Sequence, residues 1–245
     1  MVPRAILTLY HVAVSGSSLF WTCPVYSVMV PLYNRYLKES SSHLDIGPGS
    51  GVCSLVRFVH CNVGADGTPG FFTAHSSTIP LLNKLKRFTF LDASPNCLRF
   101  SSERAVASGY RGPEIELCEQ NIFEPIPDHM NGAFDTVALF WVLHCLPGAF
   151  PDKASRAVET ILPALAPSPT STLYGTTLLG PGVKHSRSGQ YLLKFFRDRN
   201  IFSNQQDNEA GLRAGLEPYF DEVTITVVGA NACFVCRGPK QRPVN

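Results

Sequence analysis

The sequence predicts an α/β fold: a seven-stranded, mostly parallel sheet with a C-terminal antiparallel hairpin and a helical N-terminal lid. Three observations carry that expectation. Seven short runs rich in β-branched and aromatic residues recur along the chain, at 43–47, 87–93, 114–121, 134–142, 172–179, 220–229 and 232–238. Stretches with a helical apolar period separate several of them, notably 94–110 and 152–167. The links are short, and strand–helix alternation with short links means parallel strands joined by crossovers, a Rossmann-like arrangement.

The elements follow in order. Residues 1–40 read as short aromatic-rich helical pieces, a lid preceding a main domain over 41–245. No formal charge lies between Ala5 and Asn34, but "SGSS", Pro24 and Pro31 interrupt the apolar run. That pattern suits short helices better than a signal peptide or a membrane span. The expectation is a cytoplasmic protein without stable membrane insertion. "HLDIG" enters a glycine turn as the first strand. Residues 52–86 break the rhythm, because the return to the second strand normally takes about 20 residues and here takes roughly twice that. This insert is either an exposed loop or an artefact of how the coding sequence was read. In 94–110, Ser94 or Pro95 starts a helix that places Leu98, Ala105 and Val106 together. In 152–167, Ala154, Ala157, Val158, Ile161 and Leu162 form a stripe that Pro163 bends or ends. Beyond residue 181 the pattern shows one helical zone, 188–205. Two closing strands follow with no strong helix between them, a hairpin turning at 229–231.

The totals exclude several classes. The chain has 245 residues, 44% hydrophobic and 16% charged, enough for a full core and too apolar for disorder. Its formal charge of +2 is scattered, with "KLKR" at 84–87 as the densest cluster, so no nucleic-acid partner is expected. The eight cysteines are too few for a disulfide scaffold and fall mostly in apolar runs. Cys233 and Cys236 form a CxxC inside a strand-like run, without a second pair or a histidine, so no metal site is expected.

The chemistry concentrates where strands end. Gly47, Gly49 and Gly51 follow the first strand, and glycine lets a backbone approach a ligand closely. Asp45 stands two residues before them. A carboxylate there would repel a diphosphate and attract an ammonium or sulfonium, which tilts the reading toward a cationic ligand. Asp92 ends the second strand, where an acid accepts ribose hydroxyls; its alternative use is a helix N-cap.

Together "LDIGPGSG", "FLDASPNCL", "CEQNIFEPIP" and "FDTVALFWVLHCLP" resemble, in that order, the class I S-adenosylmethionine-dependent methyltransferases of the small-molecule, natural-product type. The resemblance spans roughly residues 20–240. It implies S-adenosyl-L-methionine as cofactor, a small-molecule acceptor and methylation of oxygen in preference to nitrogen or carbon. Asp45 and Gly47 would meet the methionine end, Gly49 and Gly51 would shape the turn, and Asp92 would hold the ribose with Ala93 beside the adenine. Asn121, where the family commonly has Asp, would accept from the adenine amino group, and the Ile122 N–H would meet a ring nitrogen. Phe140 and Trp141 would line the methyl-donor pocket, with core packing as their alternative. His144, near neutrality by its reference pKa, is read as general base, substrate contact or packed histidine. The N-terminal aromatics (Tyr10, Phe20, Trp21, Tyr26, Tyr33, Tyr36) and 188–205 would form a lid, pack on one another or make a homodimer contact. The rivals are a non-catalytic methyltransferase-like binding protein, an NAD(P)-dependent oxidoreductase, for which "YLLK" at 191–194 is poor evidence, and a membrane-associated protein.

Overall fold

The structure, a computed structural model, describes residue 23, residues 25–48 and residues 75–240. A seven-stranded sheet in the order β3-β2-β1-β4-β5-β7-β6 forms its centre. The strands are β1 (Ser42–Ile46), β2 (Arg87–Asp92), β3 (Ile115–Glu119), β4 (Thr136–Phe140), β5 (Thr172–Leu178), β6 (Phe220–Val228) and β7 (Asn231–Pro239). The first five pair in parallel, and β7 runs antiparallel to both β5 and β6. The hairpin is therefore inserted so that the last strand, not the sixth, meets β5. Chain order reverses between β1 and β4. In open parallel sheets the crevice above such a reversal is where ligands bind, at the carboxyl ends of the strands.

Six helices are described: α1 (Val30–Leu37), which follows a π-helical turn at Val25–Met29, α2 (Ile79–Leu82), α3 (Pro95–Ala107), α4 (Asp152–Ile161), α5 (Arg187–Arg197) and α6 (Glu209–Leu216). Both faces of the central strands are covered, which is why β4 and β5 are buried at every position rather than alternately. On one face Tyr33 and Tyr36 of α1 join Phe88, Phe90, Phe140 and Tyr174. On the other, Val137, Leu139, Leu173 and Phe234 meet the apolar sides of α4 and α6. Of the expected stripe, Ala154, Ala157, Val158 and Ile161 are buried on α4, while Leu162 is half-buried in the 3₁₀ turn at Pro163 that ends the helix. Burying Val158 and Ile161 contributes about 1.5–3 kcal/mol each.

The pattern beyond residue 181 holds two helices, not one. The unforeseen α6 precedes β6 and carries Gly211 and Gly215, which depress helix propensity. They are there for close packing. A Cβ at Gly215 would lie 2.8 Å from the Ala154 Cβ, and one at Gly211 2.9 Å from the Phe150 Cβ. Cys233 and Cys236 stand three apart on β7 and so face opposite sides of the sheet, which denies them a shared ligand. Of the N-terminal aromatics, Tyr33 and Tyr36 are buried against the sheet and Tyr26 is exposed; Tyr10, Phe20 and Trp21 lie outside the described residues, as does most of the 52–86 insert. Among the described residues no helix is long and apolar enough to cross a membrane.

Candidate active site

The site builds from the start of β1. Asp135 Oδ2 accepts the N–H groups of Ser41 and Ser42 at 2.8 and 3.1 Å, which fixes where the strand begins. β1 is followed by Gly47, whose N–H donates to the Leu91 carbonyl at 2.8 Å. Gly47 has φ +64°, and a Cβ there would come within 2.6 Å of Val142 Cγ2. The residue must be glycine on both counts. Gly49 and Gly51 lie outside the described residues.

Asp45 is buried on the α1 face of the sheet. The Tyr33 hydroxyl donates to its Oδ2 at 2.9 Å. Burial pushes the Asp45 carboxyl up to about 7; the Tyr33 hydrogen bond opposes that rise and the charge of Asp92 adds to it. Asp92 closes β2 one register step beyond Ile46 and Leu91. Its Oδ1 accepts the Ser94 N–H at 2.8 Å, so the carboxylate is anchored, while Ser94 itself occupies the N-cap position of α3. Burial raises Asp92 to about 6, with the Ser94 bond opposing.

Ala93 is exposed beside it, and Asn121 is exposed just beyond β3. Asn121 Oδ1 accepts the Phe123 N–H at 3.0 Å, so one lone pair of the expected adenine acceptor serves a local turn. Ile122 is buried, and its carbonyl accepts from the Thr160 hydroxyl of α4 at 2.7 Å. The ends of β1, β2 and β3 thus bring Asp45, Gly47, Asp92, Ala93, Asn121 and Ile122 to one sheet edge.

Phe140 and Trp141 follow on β4 and both are buried. The Phe140 ring packs 5.5 Å from Tyr33 and 5.7 Å from Tyr174, between centroids. Trp141 has a left-handed backbone, φ 56°, which costs a non-glycine residue roughly 1–3 kcal/mol. Two bonds hold it there: its N–H donates to the Thr176 carbonyl at 2.8 Å, and its indole Nε1–H to Asn231 Oδ1 at 2.9 Å.

His144 is buried in the turn after β4. Its Nδ1 accepts the Leu178 N–H at 3.3 Å, and its ring stands edge-on to Phe202 at 4.6 Å. Burial, helped by the Lys153 charge, holds its pKa down to about 3. A neutral ring accepting at Nδ1 carries its proton on Nε2.

Three groups lay beyond sequence reasoning. Lys153 and Asp207 form a fully buried ion pair at 2.6 Å. Lys153 Nζ also donates to the Ser203 carbonyl at 2.8 Å, and Asp207 Oδ1 accepts the Phe150 N–H at 3.3 Å. The pair anchors the loop after α5 beneath the ends of β4 and β5. The third group is His43, buried two residues before Asp45 on the same strand face. The i, i+2 spacing of His43 and Asp45, alternating with Leu44 and Ile46, was the signal available for it.

No protein-family model matches the chain. The methyltransferase ctvB of Aspergillus terreus is 30% identical over 227 residues, covering 92% of this chain and 86% of that protein. The chain belongs to the S-adenosylmethionine-dependent methyltransferases. An O-methyltransferase of Aspergillus niger is 29% identical to this methyltransferase over 203 residues, 82% of this chain and 92% of that one. Solved structures share the fold. The mitomycin 7-O-methyltransferase MmcR superposes with a TM-score of 0.58 at 18% identity over 94% of this methyltransferase, which spans 57% of that longer chain. DhpI, solved with SAH, superposes with a TM-score of 0.52 at 16% identity, covering 96% of each chain. Membership of this family makes the chain an enzyme, and the reading as a non-catalytic binding protein is not favoured.

Proposed function

We propose that this methyltransferase transfers the methyl group of S-adenosylmethionine to an oxygen of a small organic acceptor in a secondary-metabolite pathway, in the cytoplasm and without nucleic acid as substrate. The observation that carries the proposal is the pair of carboxylates, Asp45 and Asp92, at adjoining strand ends. Burial raises both pKa values, and the charge of Asp92 raises that of Asp45 further. A diphosphate would worsen that repulsion, whereas an ammonium and a sulfonium relieve it.

Asp45 faces the donor's ammonium, and the anchored carboxylate of Asp92 takes the ribose hydroxyls. Gly47 brings the backbone close, Ala93 and Ile122 flank the adenine, and Asn121 contacts its amino group. Gly49 and Gly51 continue the turn. When bound, the donor would supply an activated methyl on a sulfonium: the O–CH3 bond to the acceptor would form as the S–CH3 bond breaks, giving a methyl ether and a thioether, with the hydroxyl proton passing to solvent. The chain aligns the reactants and excludes water. Phe140 and Trp141 form the apolar wall on that side. We read His144 as a positioning residue that ties the turn after β4 to β5, because its Nδ1 already serves the Leu178 N–H.

Titration calorimetry with S-adenosylmethionine, S-adenosylhomocysteine and NAD(P) tests the reading. Binding of the first two and not the third is expected. Incubation of donor-loaded enzyme with phenol, carboxylate and amine panels should then give a methyl mass shift on an oxygen acceptor. Tight NAD(P) binding, or no binding of the sulfonium donor, would overturn it.

A further inference from the structure

A chain of buried polar groups runs from Asp45 away from the candidate site to the opposite edge of the sheet. The Tyr33 hydroxyl lies 2.9 Å from Asp45 Oδ2 and 3.0 Å from His43 Nε2. His43 Nδ1 lies 2.8 Å from Thr136 Oγ1. Thr136 Oγ1 lies 2.9 Å from Ser40 Oγ, which in turn lies 2.8 Å from the Ser42 carbonyl. Asp45, Tyr33, His43 and Thr136 are buried, and Ser40 is half-buried where β1 begins.

Each link needs one hydrogen, and with His43 neutral all five are filled only when Asp45 carries a proton on Oδ2. With Asp45 protonated, every group donates in the same direction: Asp45 to Tyr33, Tyr33 to His43 Nε2, His43 Nδ1–H to Thr136, Thr136 to Ser40, Ser40 to the Ser42 carbonyl. With Asp45 ionised, every side-chain link reverses. Tyr33 donates to Asp45, His43 Nε2–H to Tyr33, Thr136 to His43 Nδ1, and Ser40 to Thr136, so the Ser42 carbonyl loses its donor. The first pattern holds five hydrogens and the second four. Passing between them moves one hydrogen along each link and leaves one proton for solvent.

We propose that Tyr33, His43, Thr136 and Ser40 are positioning residues that tie the ionisation of Asp45 to the far edge of the sheet, so that binding of the cationic donor reverses the chain and releases a proton. The proposal rests on the reading of Asp45 as the donor's ammonium partner. The other groups facing Asp45 are consistent with a state that waits for a cation. Asp92 on β2 and Tyr174 on β5 supply no positive charge, the neighbour on β4 is Ala138, and burial keeps His43 neutral, its pKa about 3.

The test is donor titration by calorimetry from pH 5.5 to 8.5, repeated at pH 7 in buffers of different ionisation enthalpy. Wild-type affinity for S-adenosylmethionine should rise with pH through a midpoint near 7, with about half a proton released per donor bound at pH 7. Tyr33→Phe removes the donor that favours the carboxylate and should raise the midpoint by about half to one pH unit. Thr136→Val and Ser40→Ala, neither of which touches Asp45, should lower it by a similar amount, because ionisation no longer costs the Ser40 to Ser42 bond. Ser40→Ala lies at a half-exposed edge and keeps the test sound should Thr136→Val fold poorly. Midpoints and proton release unchanged in Thr136→Val and Ser40→Ala would overturn the relay while leaving the donor site standing. Failure of wild type to bind the donor at any pH would instead overturn the functional reading, and the relay with it.

Discussion

Replacing Asp207 by Asn should destabilise the fold more than any single change at the candidate site. Lys153 and Asp207 are both fully buried and 2.6 Å apart. Burial pushes the Lys153 pKa down and the Asp207 pKa up, and their mutual attraction opposes both shifts. Asn keeps the shape but not the charge. The Lys153 ammonium would then lose its counter-charge and keep only neutral partners: the new amide oxygen, the carbonyls of Ser203 and Leu146 at 2.8 and 3.4 Å, and the Phe150 ring at 5.1 Å. Breaking one partner of a buried pair costs about 3–5 kcal/mol. A chain of this length unfolds with an entropy near 0.5 kcal/mol per degree, so Tm should fall by roughly 6–10 °C. The Ser203 N–H donates to the His144 carbonyl at 2.8 Å, so the loosened loop should also blunt turnover. Differential scanning calorimetry measures the first effect and donor-saturated kinetics the second. The double change Lys153→Met with Asp207→Leu, which removes both charges, should recover most of the stability. A Tm within about 2 °C of wild type for Asp207→Asn would refute the reasoning.

Gly47→Ala forces a left-handed alanine against Val142 and should cost about 2 kcal/mol, with much weaker donor binding; thermal melts and calorimetry check both. Asp92→Asn should weaken S-adenosylmethionine at least about tenfold at neutral pH while Tm holds or rises, because an ionised, half-buried carboxylate is removed. His144→Gln should lower Tm yet leave the pH profile of turnover between 6 and 8 unchanged. That histidine's folded pKa is depressed from 6.5 to about 3, so its contribution is complete above pH 6.5 and lost as pH falls toward 3. The variant should therefore gain on wild type by about 1.4 kcal/mol per pH unit below 6.5, as read by urea unfolding at pH 7 and 5.

The sheet was legible because doubly covered parallel strands are short, uniformly apolar and flanked by turn residues, as "FDTVALFWV" and "TLYGTTLL" are. The hairpin was legible from its turn. What stayed hidden depends on packing between distant segments. α6 was masked by glycines whose purpose is the contact with α4 and the segment before it. Tyr33 and Tyr36 were grouped with lid aromatics, since nothing local in "PLYNRYL" says that these rings point at β1 and β5. The strand-end acids and Gly47 were readable because backbone conformation and charge are local properties. The buried partners of Asp45, and the loop anchor at Lys153, were not, because a hydrogen bond between segments leaves no mark in either.

The strand order leaves β3 and β6 at the two rims of the sheet. Both rims are acidic: Glu114 and Glu119 are exposed beside and on β3, as are Asp221 and Glu222 on β6. A second molecule that tried to extend the sheet from either side would meet carboxylates with carboxylates. Polymerisation through open strands is thus opposed by like charge, a guard that high salt would lower.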